Sequence, residues 1–105
     1  MSSARTLMGV DFQYSGSLDT GLIIHKNIDI HIPAKIIQII RGEIEKRSPV
    51  LMGACRDNPT RDSIGETLLN IGYSPQISSY VIPLLIEEGF CKANDRRPYK
   101  ITRTK

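Results

Sequence analysis

An α+β fold is what this sequence of 105 residues predicts. Three observations carry that expectation. Residues 22–32 alternate apolar and polar side chains with the period of a strand. Ile36, Ile37, Ile40 and Ile44 recur with the period of a helix. Residues 63–101 then read as a helix, a tight turn, a second helix and a basic hairpin, in the order expected of a helix-turn-helix.

The length supports one domain around one modest core. Apolar residues make up 40% and charged residues 24%, ordinary values for a soluble globular protein. No apolar run approaches the roughly 20 residues that cross a bilayer. Met1-Ser2-Ser3-Ala4-Arg5 lacks the apolar core of a signal peptide, so a cytoplasmic chain with no membrane attachment is expected. Cys55 and Cys91 stand alone, without a CxxC pair, and are expected to be reduced. The net charge of +3 is unevenly spread. Residues 1–89 hold eight basic and ten acidic side chains, whereas residues 90–105 hold six basic side chains against Asp95 alone. A basic block at one end points to a polyanionic partner, or else to a solvated tail.

In chain order, residues 1–6 are expected to be disordered and residues 7–32 to form an N-terminal β extension. A short strand over 7–14 precedes a turn at Ser15-Gly16-Ser17. Leu22, Ile24, Ile28, Ile30 and Ile32 then share one face, and His25, Asn27, Asp29 and His31 the other. Lys26 breaks the apolar row, so either one strand or a hairpin turning at Lys26-Asn27 fits. A β element this small must dock, within the chain or across a two-fold axis. The second arrangement is expected, because one short chain offers few surfaces for so many isoleucines.

Pro33 opens the first helix, with Glu43, Glu45, Lys46 and Arg47 on its outer face and Pro49 ending it. Gly42 weakens it by up to about 1 kcal/mol relative to Ala. Val50-Leu51-Met52 fits a short strand or one helical turn. In the loop that follows, Arg56 and Arg61 either touch phosphates or pair with neighbouring aspartates; the pairing is expected, because the local charge cancels.

Ser63-Ile64-Gly65-Glu66 is a capping box, and its helix stops at Gly72. Ser74 as N-cap and Pro75 at the first helical position start the next helix, which ends at Glu87-Glu88-Gly89 with Pro83 inside it. Its exposed face is expected to be Gln76, Ser79, Tyr80 and Pro83; Ile77, Val81, Ile82, Leu84, Leu85 and Ile86 make it apolar nearly all round. A strand at Phe90-Cys91-Lys92, a turn at Asn94-Asp95-Arg96-Arg97 and a return strand over 98–102 complete the hairpin.

The stretch S-P-Q-I-S-S-Y-V-I-P-L-L-I-E-E-G-F, followed by R-R-P-Y-K-I-T, resembles the recognition helix and wing of winged-helix transcription regulators. The resemblance covers roughly the last two-thirds of the chain. It implies that residues 33–105 form a winged helix, a three-helix core with a C-terminal β-hairpin wing, to which the N-terminal β-strand or hairpin is an addition. It further implies a transcriptional regulator binding double-stranded DNA, as a homodimer, through helix 74–88 and the basic wing 90–103. The residues it points to are Ser74, Gln76, Ser79, Tyr80, Lys92, Arg96, Arg97 and Lys100. Not one Arg or Lys lies between Arg61 and Lys92, a departure from the family's basic recognition helix. The alternative is a winged helix that serves protein–protein assembly, with little affinity for DNA. No nucleophile motif or Gly-rich phosphate loop is present, and His25 and His31 lie too far apart on a regular strand to share an ion. A protein without enzymatic activity, cofactor or metal is expected, with both histidines exposed.

Overall fold

The computed structural model describes residues 1–54 and 59–104 as an α+β fold with three helices and two antiparallel sheets. The expectations for Cys55, Arg56 and Lys105 concern residues outside that set. The first sheet is a meander of β1 (Ser2–Arg5), β2 (Asp11–Ser17), β3 (Gly21–His25) and β4 (Ile30–Ile32). The break at Lys26 is a turn, so residues 22–32 form a hairpin that pairs Leu22 with Ile32 and Ile24 with Ile30. Phe12, Leu22, Ile24 and Ile32 face the core and are buried. Ile28, expected in that row, lies at the turn, where the alternation resets, and is 84% exposed.

Two expectations for this region are corrected. Residues 1–6 are not disordered: β1 pairs Ala4 with Phe12 and Arg5 with Asp11, and the Arg5 guanidinium meets the Asp11 carboxylate at 2.8 Å. Such a strand is held by its neighbour's backbone, which an apolar pattern cannot announce. Ser15-Gly16-Ser17 lies inside β2, and the turn follows at residues 18–20. Gly16 has φ +88°, and a Cβ there would collide with the Gly21 carbonyl oxygen. The strand ends close together at a point where only glycine fits.

Helix α1 (Ala34–Arg47) buries Ile36, Ile37, Ile40 and Ile44, as the stripe requires. Glu43, expected on the outer face, is half-buried and accepts from Arg47 at 3.0 Å and from the Thr67 hydroxyl at 2.6 Å. Strand β5 (Val50–Leu51) follows, then α2 (Ile64–Asn70). The Ser63 hydroxyl oxygen accepts the Glu66 amide at 3.1 Å. The returning Glu66 carboxylate takes the Asp62 amide, one residue earlier than a capping box places it. Asp62 also gives its carbonyl to Arg47 at 2.7 Å and lies 3.8 Å from it by its carboxylate. Its ion-pair partner is therefore Arg47, and not the neighbouring Arg61 that was expected.

Helix α3 (Ile77–Glu88) begins later than expected, because Ser74-Pro75-Gln76 form a turn. The Ser74 hydroxyl takes the Gln76 amide at 3.2 Å and its carbonyl takes the Ile77 amide at 3.1 Å. The helix runs uninterrupted through Pro83 to Gly89, where it was expected to end and where a φ of +87° gives a left-handed closure. Strands β6 (Cys91–Ala93) and β7 (Lys100–Arg103) join β5 in a second sheet, ordered β5-β7-β6. Ile101 pairs with both Val50 and Ala93 and is fully buried.

The first sheet docks within its own chain. Phe12, Leu22, Ile24 and Ile32 enter the same core as the α1 isoleucines and Tyr80, Val81, Ile82 and Leu85 of α3. The expected docking across a two-fold axis is thereby corrected. Helices α1 and α3 are apolar on more than one side, and those sides supply the surface. Four such side chains contribute roughly 1.5–3 kcal/mol each in transfer free energy. Their sum is comparable to the whole stability of a small domain, about 5–15 kcal/mol. Removal of this sheet is therefore incompatible with a stable remainder.

Two glycines give opposite expectations. Gly42 lies inside α1, and a Cβ added to it would meet nothing within 4 Å, so Gly42→Ala should raise stability by up to about 1 kcal/mol in urea denaturation. Gly65 opens α2 against the β5 loop: a Cβ would collide with the Gly53 carbonyl oxygen, and the Gly65 amide donates to the Met52 carbonyl at 2.9 Å. Gly65→Ala should cost about 1–3 kcal/mol or more in the same measurement, because backbone must move.

Candidate nucleic-acid interface

Three turns meet at one end of the molecule around the start of α3. The β1–β2 turn brings Met8, the β3–β4 turn brings Lys26, Asn27 and Ile28, and the β6–β7 turn brings Arg97, Pro98 and Tyr99. Gln76 lies between them. On one side, a groove of ≈ 680 Å³ has Met8, Gln76, Arg97 and Tyr99 in its wall. On the other, a groove of ≈ 470 Å³ joins Ser74 and Gln76 to Lys26, Asn27 and Ile28.

Cross-element hydrogen bonds brace these turns. The Lys26 ammonium donates to the Tyr80 hydroxyl at 2.9 Å, and the Tyr99 hydroxyl donates to the Leu7 carbonyl at 3.1 Å. Asn94 ties the C-terminal hairpin to itself. Its side-chain amide donates to the carbonyls of Arg96 and Pro98, and its oxygen accepts the Lys100 amide at 2.8 Å. Arg96 and Arg97 are thus presented on a loop whose backbone is already ordered, which lowers the entropy lost on contact.

Of the residues expected to form the interface, Ser74, Gln76, Lys92, Arg96, Arg97 and Lys100 are exposed. None of the four cations pairs with a carboxylate among the described residues. Lys92 lies opposite Thr102 on the outer face of the second sheet, on the same side as Lys100. Ser79 is half-buried, and its hydroxyl donates to the Gln76 carbonyl at 2.6 Å.

Tyr80 is corrected. It is only 9% exposed, with its ring edge-on to Phe12 at 5.1 Å between centroids. The N-terminal sheet, expected to dock across a two-fold axis, covers the face of α3 that Tyr80 was expected to show. Ser78, Val81, Ile82, Leu84 and Leu85 are buried as well, so the exposed polar groups of this helix are confined to its two ends. Lys26, Met8 and Ile28 were missed as members of this surface; the interrupted apolar row at Lys26 was the one signal of a turn there.

The far end of α3 has the opposite character. Glu87, Glu88 and Asp19 share a groove with Leu18 and Tyr14. The Arg41 guanidinium grips Glu88 through two bonds, at 2.7 and 3.3 Å, and lies 5.0 Å from the centroid of the Phe90 ring. That hydrogen bonding holds the Glu88 carboxyl below its usual range and raises Arg41. Nearby, burial pushes the Cys91 thiol up to about 11, so it stays protonated and unreactive at neutral pH.

A Ser–His–Asp row crosses the outer face of the first sheet, and sequence reading did not find it. Ser15 Oγ lies 2.6 Å from His25 Nε2, and His25 Nδ1 lies 3.5 Å from Asp29 Oδ1. His25 is half-buried, not exposed as expected, whereas His31 is exposed. The groove beside His25 is walled by Val10, Asp11, Phe12, Lys26, Asn27 and Tyr80, and Ser15 does not line it. The Ser15 hydroxyl therefore does not open onto this groove, as a nucleophile serving a substrate bound there would. Among the described residues no three His, Cys, Asp or Glu side chains converge as a metal site, and no helix is long and apolar enough to cross a membrane.

No family model matches the chain, nor does any curated protein or solved structure. The site therefore stands on its own geometry.

The Arg41–Glu88 pair sets a pH dependence. Because the Glu88 carboxyl is lowered in the folded state, its contribution is present above the usual carboxylate range and is lost as pH falls through its folded value. Glu88→Gln should lower the midpoint of thermal unfolding at pH 7. The gap between the two proteins should close as the pH is lowered through the carboxylate range; a gap constant with pH would contradict the pairing.

Proposed function

We propose that this chain binds double-stranded DNA through the edge formed by the C-terminal hairpin and the turn at residues 74–76 that precedes α3. The observation that carries the reading is the set of exposed cations, Lys92, Arg96, Arg97 and Lys100, unpaired among the described residues, of which Arg97 shares a groove with Gln76. Phosphate contacts of that kind supply affinity and orientation without reading sequence. Gln76 is the exposed group best suited to a base edge, able to pair with adenine from the major groove or to reach the A·T acceptors from the minor groove. With Tyr80 covered, general duplex binding with a weak sequence preference fits better than tight sequence-specific reading.

A winged-helix reading of residues 33–105 draws support from the element order α1-β5-α2-α3-β6-β7 and the sheet order β5-β7-β6, with the β6–β7 hairpin as the wing. The four strands ahead of α1 depart from that fold, and they change how it can be used. In a winged helix the third helix lies along the major groove. Here α3 is buried or half-buried from Ile77 to Ile86, and only the turn ahead of it, with Ser74 and Gln76, is open to a groove. A cytoplasmic transcriptional regulator remains the role proposed. A homodimer would set two wings on two half-sites, but it would need a surface other than the apolar sheet face, which is already covered.

The alternative, a module for protein assembly, draws on the exposed apolar side chains Met8, Val10 and Ile28. A salt titration separates the two. Duplex binding should weaken linearly in log–log form as salt rises, and Arg96→Ala with Arg97→Ala should lower that slope by about two while weakening all sequences alike. Binding indifferent to both arginines at low salt would remove the wing from the interface.

A further inference from the structure

Two of the turns at the candidate interface expose large apolar side chains beside their ordinary turn residues, Gly9 in one and Asn27 and Asp29 in the other. Tips of this kind are usually built from Gly, Asn, Asp, Ser and Pro. Here Ile28 is 84%, Met8 62% and Val10 61% exposed. The β2–β3 turn, at the other end of the same sheet, shows the usual pattern: Asp19 and Thr20 are exposed and Leu18 is partly covered. Met1, Leu69 and Ile71 are exposed elsewhere, but Ile28, Met8 and Val10 are the exposed large apolar side chains of the turns at this end.

Two of these side chains flank Gln76. Ile28 shares one groove with it, and Met8 shares the other with both Gln76 and Arg97. Each tip is also braced, β3–β4 through Lys26 on the Tyr80 hydroxyl and β1–β2 through the Leu7 carbonyl on Tyr99. A duplex that touches Gln76 and Arg97 therefore meets two rigid apolar projections. Against phosphates they would only strip water from charged oxygens. Within a duplex an apolar side chain finds partners at a thymine methyl in the major groove, or between base pairs opened from the minor groove. The major groove is filled by a helix or ribbon exposed along its length, and α3 is buried or half-buried from Ile77 to Ile86. A narrow hairpin tip fits the second geometry, and Ile and Met are among the side chains that act so.

Resting on the duplex-binding reading, we infer that Ile28 and Met8 are wedges that enter DNA between base steps from the minor groove and bend it around the start of α3. The cationic rim of Arg96, Arg97 and Lys100 then holds the phosphates drawn in by the bend. Steps that unstack most easily, TA and CA, are the preferred targets.

The test is a short duplex with one central TA step, carrying 2-aminopurine at the step and a fluorophore pair at its ends. The intact protein should raise the 2-aminopurine emission and shorten the end-to-end distance. The double variant Ile28→Ala, Met8→Ala changes exposed side chains only, and its unfolding midpoint checks that it folds. It should keep its salt slope and bind within roughly tenfold of the parent, while both optical changes disappear. A bound duplex that stays straight and stacked, or bending that survives the double substitution, overturns the wedge and leaves duplex binding in place. No binding by the intact protein at low salt overturns both. Phosphatidylserine vesicles form the second arm. Vesicle binding tighter than duplex binding, and lost in the double variant, would assign the tips to lipid and overturn the inference.

Discussion

The edge of Tyr80 against Phe12, with the Lys26 ammonium closing over the hydroxyl, is the contact on which the rest of this structure depends. It fastens the N-terminal sheet to α3 at mid-helix and turns two apolar faces into one core. Tyrosine suits the position because its ring is buried as a hydrophobe while its hydroxyl still finds a donor. Lys26 lies over the same ring, 5.6 Å from its centroid, so the cation is held by both parts of the side chain. Once this contact forms, the middle of α3 is closed to any partner, and whatever the molecule binds must meet its ends.

Those ends differ in charge, and the difference follows from packing. The C-terminal end carries Glu87 and Glu88, with Glu88 neutralised by Arg41 from α1. The N-terminal end carries only polar Ser74 and Gln76, and its cations come from other elements, Lys26 of the β3–β4 turn and those of the C-terminal hairpin. A polyanion approaching at random is steered toward the second end and away from the first. The same arrangement explains how α3 can lack every Arg and Lys: the helix is a structural member, and charge is delegated to a hairpin whose loop Asn94 has already ordered.

Where local chemistry decides the conformation, the chain was legible. The α1 isoleucines, the Ser63 cap, the Gly89 closure and the β6–β7 hairpin each follow from residues within a few positions of one another. The features that escaped need a distant partner. Ser2–Arg5 is a strand because β2 lies beside it, and nothing in Ser-Ser-Ala-Arg alternates. Ile28 continues the apolar row on paper, but a turn at Lys26 moves it to a tip. Gly65 reads as a spacer in a capping box, although it is the point where the Gly53 carbonyl approaches α2 most closely. The face assigned to Tyr80 was wrong for the same reason: helical periodicity tells which residues share a side, and not which side a sheet from elsewhere in the chain will cover. The candidate site was legible in its cations and Gln76, and illegible in its apolar tips.

The central claim is that α3 stays covered while the molecule engages duplex DNA. An NMR titration of the intact, isotopically labelled chain with a short duplex tests it directly. The account predicts shifts at residues 8, 26–28, 74–76 and 94–100, with the Phe12–Tyr80 ring NOE retained at saturation. Shifts running along α3 through Tyr80 and Leu84 to Glu87, with that NOE lost, would mean that the sheet lifts and the helix enters the groove, and would contradict it.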